Sequence, residues 1–359
     1  MREIVKMKFN NNYKLFKYYL FYIITILLIF LVSNSDGYNI NNGVTMRTIT
    51  VDKSGKGDFT TVQQAIDSVP DDNKSWVHIH IKPGNYTEKV SIKREKPFIF
   101  LEGESSRNTI IAWGDSGDIV KSPTFSCHAD NIVASKIQFK NSYNVNHKKE
   151  VRKSSRDDDD AKAITWAPAA LVEGDKVSFY GCSFISVQDT LFDALGRHYF
   201  EKCYIQGDID FIFGNAQSYY EKCNLFVSIS GSGSNGVGYI TAQGRESSNE
   251  TSGYVFHSNT IKGTGPTLLG RAYRPHSRVL FYKTYMSDIV SPEGWNAWES
   301  KGHEKTITFV EEGCFGPGSN QSKRVHWLKK LSLHERKQLI NINKFINQDG
   351  WLQQQPRPT

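Results

Sequence analysis

Between Phe179 and Leu225 the chain alternates short apolar runs with Gly, Asn, Asp and Ser, and the runs look alike. Phe179-Tyr180-Gly181-Cys182-Ser183-Phe184 is followed by Tyr199-Phe200-Glu201-Lys202-Cys203-Tyr204 and then Tyr219-Tyr220-Glu221-Lys222-Cys223-Asn224. The cysteines fall 21 and 20 residues apart. Runs of similar texture occur at Asn131–Phe139, Tyr254–Ile261 and Arg278–Tyr282. β-Rich segments at a period near 20 predict a solenoid of parallel strands, in which each coil buries its inward face on its neighbours and like residues stack. Leucine-rich repeats share the period, but their Leu-x-x-Leu-x-Leu register is absent. The alternative is an antiparallel sandwich with coincidental spacing. Around this core the pattern predicts a short helix from Val62 to Ser68 capped by Thr60-Thr61, a strand over Trp76–Ile81, and a turn at Pro83-Gly84. Helical spacing of Leu331, Leu333, Leu339, Ile340 and Ile342 marks Leu331–Phe345 as a segment that packs against the solenoid.

The N-terminus carries a different pattern. Five basic residues against Glu3 precede an uncharged stretch of 15 residues, Tyr18–Val32, and then Ser33-Asn34-Ser35. A membrane span needs about 20 apolar residues. This order reads as a secretory signal over 1–35, with an uncleaved signal anchor as the alternative. A short linker over 36–47, the solenoid domain over 48–352 and a tail over 353–359 complete the division. Asn-x-Ser/Thr triplets at Asn73, Asn85, Asn249 and Asn320 suit a secreted glycoprotein. Five cysteines are an odd number, so in an oxidising compartment at least one stays free or pairs between chains.

Composition narrows the class. With 28 Gly and 11 Pro in 359 residues, and 23% charged residues, the chain is neither collagen-like, disordered nor a polytopic membrane protein. Most of the net charge of +7 sits in the N-terminal segment. The small remaining excess suits a polyanionic sugar better than nucleic acid, and no basic block with interleaved aromatics occurs. The run Asp157–Asp160 reads as a solvated loop, because consecutive carboxylates cannot all converge on one ion.

The repeat also places chemistry. Asp189 follows Cys182 by seven residues, and Asp210 follows Cys203 by seven. If the cysteines stack, the two aspartates sit side by side on adjacent coils, about 4.8 Å apart. Two carboxylates that close do not ionise alike; one becomes an acid, the other a nucleophile or base. The structural alternative is a pair of turn-capping aspartates. No Gly-x-Ser-x-Gly elbow, His-Glu-x-x-His, P-loop, dinucleotide fingerprint or Cys-x-x-Cys pair is present.

The motifs Gly84-Asn85-Tyr86-Thr87-Glu88, Gln188-Asp189-Thr190-Leu191, Asp210-Phe211-Ile212-Phe213-Gly214 and Leu269-Gly270-Arg271, in this order, resemble those of plant pectin methylesterases (pectinesterases). Weaker similarities are Thr241–Arg245, Pro292–Trp295, Gly316–Gly318 and Gly350–Leu352. The resemblance runs from about Thr48 to Leu352 and matches the form without an inhibitor-like pro-region. It implies an all-β fold, a right-handed parallel β-helix with peripheral helices, and hydrolysis of methyl esters on galacturonate units of pectin. It implies Asp210 as nucleophile, Asp189 as acid and base, Gln188 as oxyanion donor and Arg271 as the partner of Asp210. Tyr273, Trp166 and Phe211 are the expected substrate-binding residues. No metal or organic cofactor is implied. The implied partners are methylated homogalacturonan and a proteinaceous pectinesterase inhibitor, with the enzyme a monomer in the cell wall. Two departures stand out. Tyr273 takes a position where relatives carry Trp, and Trp166 one where many carry a Gln that supplies a second oxyanion donor. Trp166 therefore predicts a weaker esterase or altered specificity. A pectin-cleaving glycosidase or lyase, and a non-catalytic pectin-binding homologue, are the competing readings.

Overall fold

The computed structural model describes residues 38–41, 44–145, 164–229 and 236–358. Eight successive coils each give one strand to each of three sheets. One coil supplies Val177–Tyr180, Ser183–Ile185 and Leu191–Asp193. The next supplies Arg197–Glu201, Tyr204–Gly207 and Ile212–Gly214. The result is a parallel β-helix of one eleven-stranded and two eight-stranded sheets. Among the described residues, the one antiparallel pairing joins Tyr38–Asn41 to Val44–Val51. The antiparallel sandwich is thereby excluded.

The period has a local cause. Where the first strand of a coil gives way to the second, a single residue takes a left-handed backbone: Lys136, Gly181, Lys202, Lys222, Ser258 and Lys283, with φ between 49° and 59°. The residue after it turns inward. At three successive corners that residue is a buried cysteine, Cys182, Cys203 and Cys223. The Cys203 and Cys223 thiols each donate to a carbonyl of the preceding coil, Phe179 O and Phe200 O, both at 3.4 Å. All five cysteines are free thiols, and burial pushes Cys182 up to about 12.

Inside, register converts the repeat into a stack. Phe179, Phe200, Tyr220, Phe256 and Phe281 occupy successive coils of the long sheet. Their ring centroids lie 5.0, 4.5, 4.5 and 4.5 Å apart, nearly parallel. Burying such rings dominates the core's apolar gain.

Short helices lie outside the coils. Helix α1, Val62–Asp67, is capped by the Thr61 side chain accepting from Gln64 N, as expected. The C-terminal segment forms α2 (Leu333–Leu339), α3 (Ile342–Phe345) and α4 (Trp351–Gln354). The apolar spacing suggested one run to Phe345. Instead Asn341 interrupts it, its side chain accepting from Asn343 N to start α3. These helices cover the outer face of the long sheet, where Leu339, Phe345, Ile346, Trp351 and Leu352 pack on Phe100, Val133, Tyr199 and Tyr219. The N-terminal apolar run and Asp157–Asp160 lie outside the described residues. Among the described residues no helix is long and apolar enough to cross a membrane.

Candidate active site

The stacking argument for the two aspartates rests on register, and the register is present. Gln188 bridges Ile209 in parallel, and Asp189 N donates to Ile209 O at 3.0 Å. Asp189 and Asp210 therefore occupy equivalent positions on adjacent coils, at the bends that lead into Leu191–Asp193 and Ile212–Gly214. Both have left-handed backbones, φ 58° and 47°. That conformation costs an ordinary residue about 1–2 kcal/mol, and Asp is among the few that tolerate it. Each aspartate is only 6% exposed.

Arg271 comes from the strand Thr267–Ala272, two strands along the same sheet. Gly270 lets that strand lie close, since a Cβ there would fall 2.0 Å from Thr241 Oγ1. Arg271 Nε donates to Asp210 Oδ1 at 2.8 Å, and Nη2 donates to Oδ2. The guanidinium is held between two rings: its carbon lies 3.7 Å from the Trp298 centroid and 4.3 Å from that of Tyr239. It cannot rotate away from Asp210 without losing both faces.

The two carboxyls respond differently to this setting. Burial pushes Asp189 well above the usual carboxylate range, the Asp210 charge adds to it, and Arg271 opposes. Burial also raises Asp210, but the Arg271 hydrogen bonds and charge pull against it. Both carboxyls are therefore raised, Asp189 further than Asp210, because Arg271 bonds Asp210 directly.

A cleft of about 610 Å³ opens over the aspartates. It runs along the coil axis, from Trp166 on one side to Tyr273 and Trp298 on the other. Gln188, Asp189, Asp210, Arg271, Trp166 and Tyr273 all line it. Trp166 is 50% exposed and Tyr273 40%. Tyr273 stacks on Trp298 at 5.7 Å between centroids.

Phe211 does not line the cleft. It is fully buried in the core, where it rests on Gly207; a Cβ on that glycine would lie 2.1 Å from the Phe211 Cβ. The bend at Asp210 turns Phe211 inward, as Thr190 is turned in the coil before. The outward aromatic is Phe213, stacked on Phe192 at 4.4 Å, and both form the cleft floor. Their spacing of 21 residues, equal to that of the aspartates, was the available signal. Trp298 and Tyr239 were missed because nothing in their local sequence ties them to Arg271.

The pectinesterase family model matches residues 48–350. The chain belongs to the pectinesterase family. Among curated pectinesterases, it is 46% identical over 308 residues to probable pectinesterase 55 of Arabidopsis thaliana, spanning 86% of this chain and 91% of that one. It is 47% identical over 317 residues to probable pectinesterase 29 of the same plant, spanning 88% and 92%. Among solved structures, pectin methylesterase from carrot superposes with a TM-score of 0.76 at 28% identity, covering 86% of this chain and 97% of that one. The pectinesterase structure from carrot and this chain share the parallel β-helix, as the repeat predicted.

Proposed function

We propose that this pectinesterase-family enzyme hydrolyses methyl esters of galacturonate units in pectin, with Asp210 as nucleophile and Asp189 as acid and base. The observation that carries the assignment is the asymmetry of the aspartate pair: Arg271 hydrogen-bonds Asp210 through two nitrogens and acts on Asp189 only through its charge. An Asp210 oxygen attacks the ester carbonyl, and the carbonyl π electrons move onto oxygen. Gln188, at the cleft wall beside Asp189, donates to that oxyanion. Collapse of the tetrahedral intermediate breaks the bond to the methoxy oxygen, which takes the Asp189 proton and leaves as methanol. The acyl-aspartate that remains is attacked by water. Asp189, now a carboxylate, takes the water proton, and Asp210 departs as the ion that Arg271 prefers. One ester and one water give one acid and one methanol.

The aromatic floor of Phe192 and Phe213, with Tyr273 and Trp298 at one end and Trp166 at the other, suits the apolar faces of a sugar chain laid along the coils. A leading basic and apolar segment, and exposed Asn-x-Ser/Thr sites at Asn85, Asn249 and Asn320, support a secreted wall enzyme.

The test is methanol release from highly methylated pectin by the mature protein. Asp210→Asn should lower release by about 10⁴-fold or more, as removal of a covalent nucleophile does elsewhere. Gln188→Ala should lower kcat by about 10²–10³. Near-normal release by a folded Asp210→Asn protein would reject the nucleophile. New reducing ends or unsaturated products would point to cleavage of the backbone instead. A second reading, a pectin-binding homologue with little turnover, is favoured only by Trp166; it requires binding without methanol from any pectin.

A further inference from the structure

Far from the cleft, on the outer face of the long sheet, the sequence His78-Ile79-His80 lies on the strand Val77–Ile81, and Glu102-Gly103-Glu104 on and just past the neighbouring strand Ile99–Gly103. The two strands are parallel and directly paired, with His80 opposite Glu102. Alternation sends Ile79, Ile81 and Leu101 into the core and both histidines and both glutamates outward. A ligating atom from each of His78, His80 and Glu102 falls within 4.8 Å of the others.

The second layer resembles that of a metal centre. Thr48 Oγ1 lies 3.4 Å from His78 Nδ1, which leaves His78 Nε2 facing Glu102 at 3.1 Å. Phe100 stacks on the His78 ring at 4.9 Å and limits its rotation. An imidazole fixed through one nitrogen with the other aimed at a carboxylate is how ligating histidines are commonly held. Glu104 approaches His80 Nε2 at 3.7 Å and provides a fourth donor at the solvent edge. His78 and Glu102 are buried, while His80 and Glu104 are open enough to admit an ion.

We propose that His78, His80, Glu102 and Glu104 bind one zinc ion, which clamps two adjacent coils at the N-terminal end of the solenoid. Two imidazoles with carboxylates suit the nitrogen-and-oxygen preference and four-coordinate habit of Zn²⁺, and do not suit the all-oxygen preference of Mg²⁺. Lys136 lies 3.4 Å from Glu102 and Lys82 lies 3.2 Å from Glu104. The ion must displace these ammonium groups to reach the carboxylates.

The experiment is a calorimetric titration of ZnCl₂ into chelator-treated full-length protein at neutral pH, with melting temperature as a second readout. The wild type should bind one zinc and melt higher with excess ZnCl₂ but not with MgCl₂. Loss of a mere outer partner costs about 10–100-fold in metal affinity, and His80→Ala should lose at least that, while its methanol release without zinc stays at the wild-type level. Absence of zinc binding by the wild type would make the cluster an ion-paired network only and overturn the site. Equal binding by His80→Ala would place the ion elsewhere and overturn it as well.

Discussion

Asp189 and Asp210 share burial and backbone conformation, but Arg271 hydrogen-bonds Asp210 directly. In the proposed mechanism that contact divides their labour. It also makes Asp189 a liability for stability. The folded state holds the Asp189 proton above the carboxylate's ordinary range, so folding is favoured below the unfolded value of about 3.9 and loses that contribution as pH rises through the raised folded value. Asp189→Asn should therefore raise the melting temperature at pH 7 more than at pH 4, while methanol release falls. A variant with the same melting shift at both pH values would contradict the proposed protonation. On the substrate side, loss of the Asp189 proton predicts a falling basic limb in kcat/KM, displaced upward from an ordinary carboxylate. The family resemblance places an oxyanion-donating Gln at Trp166, which lines the cleft. One well-aimed oxyanion donor is worth about 10²–10³ in kcat, so Trp166→Gln should raise kcat by roughly tenfold or more. Both aspartates were legible from their offset after stacked cysteines. Phe211 was not, because a single left-handed residue reverses which side of the bend faces the core.

At the scale of the element, the unit is a corner plus its two flanking strands. A left-handed residue and an inward one recur at six successive corners, from Lys136 to Lys283, so the hexads that first betray the repeat are the stretches that cross them. Their aromatic positions form the stack through Phe200, which touches rings above and below at 5.0 and 4.5 Å. Phe200→Ala removes two such contacts and opens a cavity that flanking coils cannot close, since their spacing is set by backbone hydrogen bonds. The expected loss is about 3–5 kcal/mol in urea unfolding. The surface position Lys202, one corner on, should tolerate Ala with a far smaller change. Helix α1 was legible to within a residue because its cap and apolar spacing are local. The break between α2 and α3 was hidden because Asn341 acts as a cap only once the chain turns there.

For the whole molecule, the coils leave one apolar face uncovered, and the C-terminal helices cover it. Trp351 is buried there, with its indole donating to Ile346 O at 2.6 Å. Arg197 ties the same segment down by bonding both Asp175 and Asp349. Hydrogen bonding to Arg197 pulls the Asp349 carboxyl down to about 2, so this tie persists in mildly acidic surroundings. Trp351→Ala should cost about 3–5 kcal/mol and increase binding of an apolar dye. Its kcat should hold at temperatures where it stays folded, because the cleft lies on a different sheet. A fall in kcat without loss of stability would show that the two faces are coupled.

The sequence alone determined the period, the parallel solenoid and the adjacency of the aspartates, because all three follow from residues one coil apart. Repetition turns such local spacing directly into contact. The tertiary structure decided what no spacing encodes: that Arg271 closes on Asp210, that Trp298 and Tyr239 hold its two faces, that Phe213 replaces Phe211 at the floor, and that two His and two Glu residues meet across neighbouring strands. These depend on which way each side chain leaves its coil. That direction is fixed by the bends and by close approaches such as those at Gly207 and Gly270, which exist only once the coils are packed.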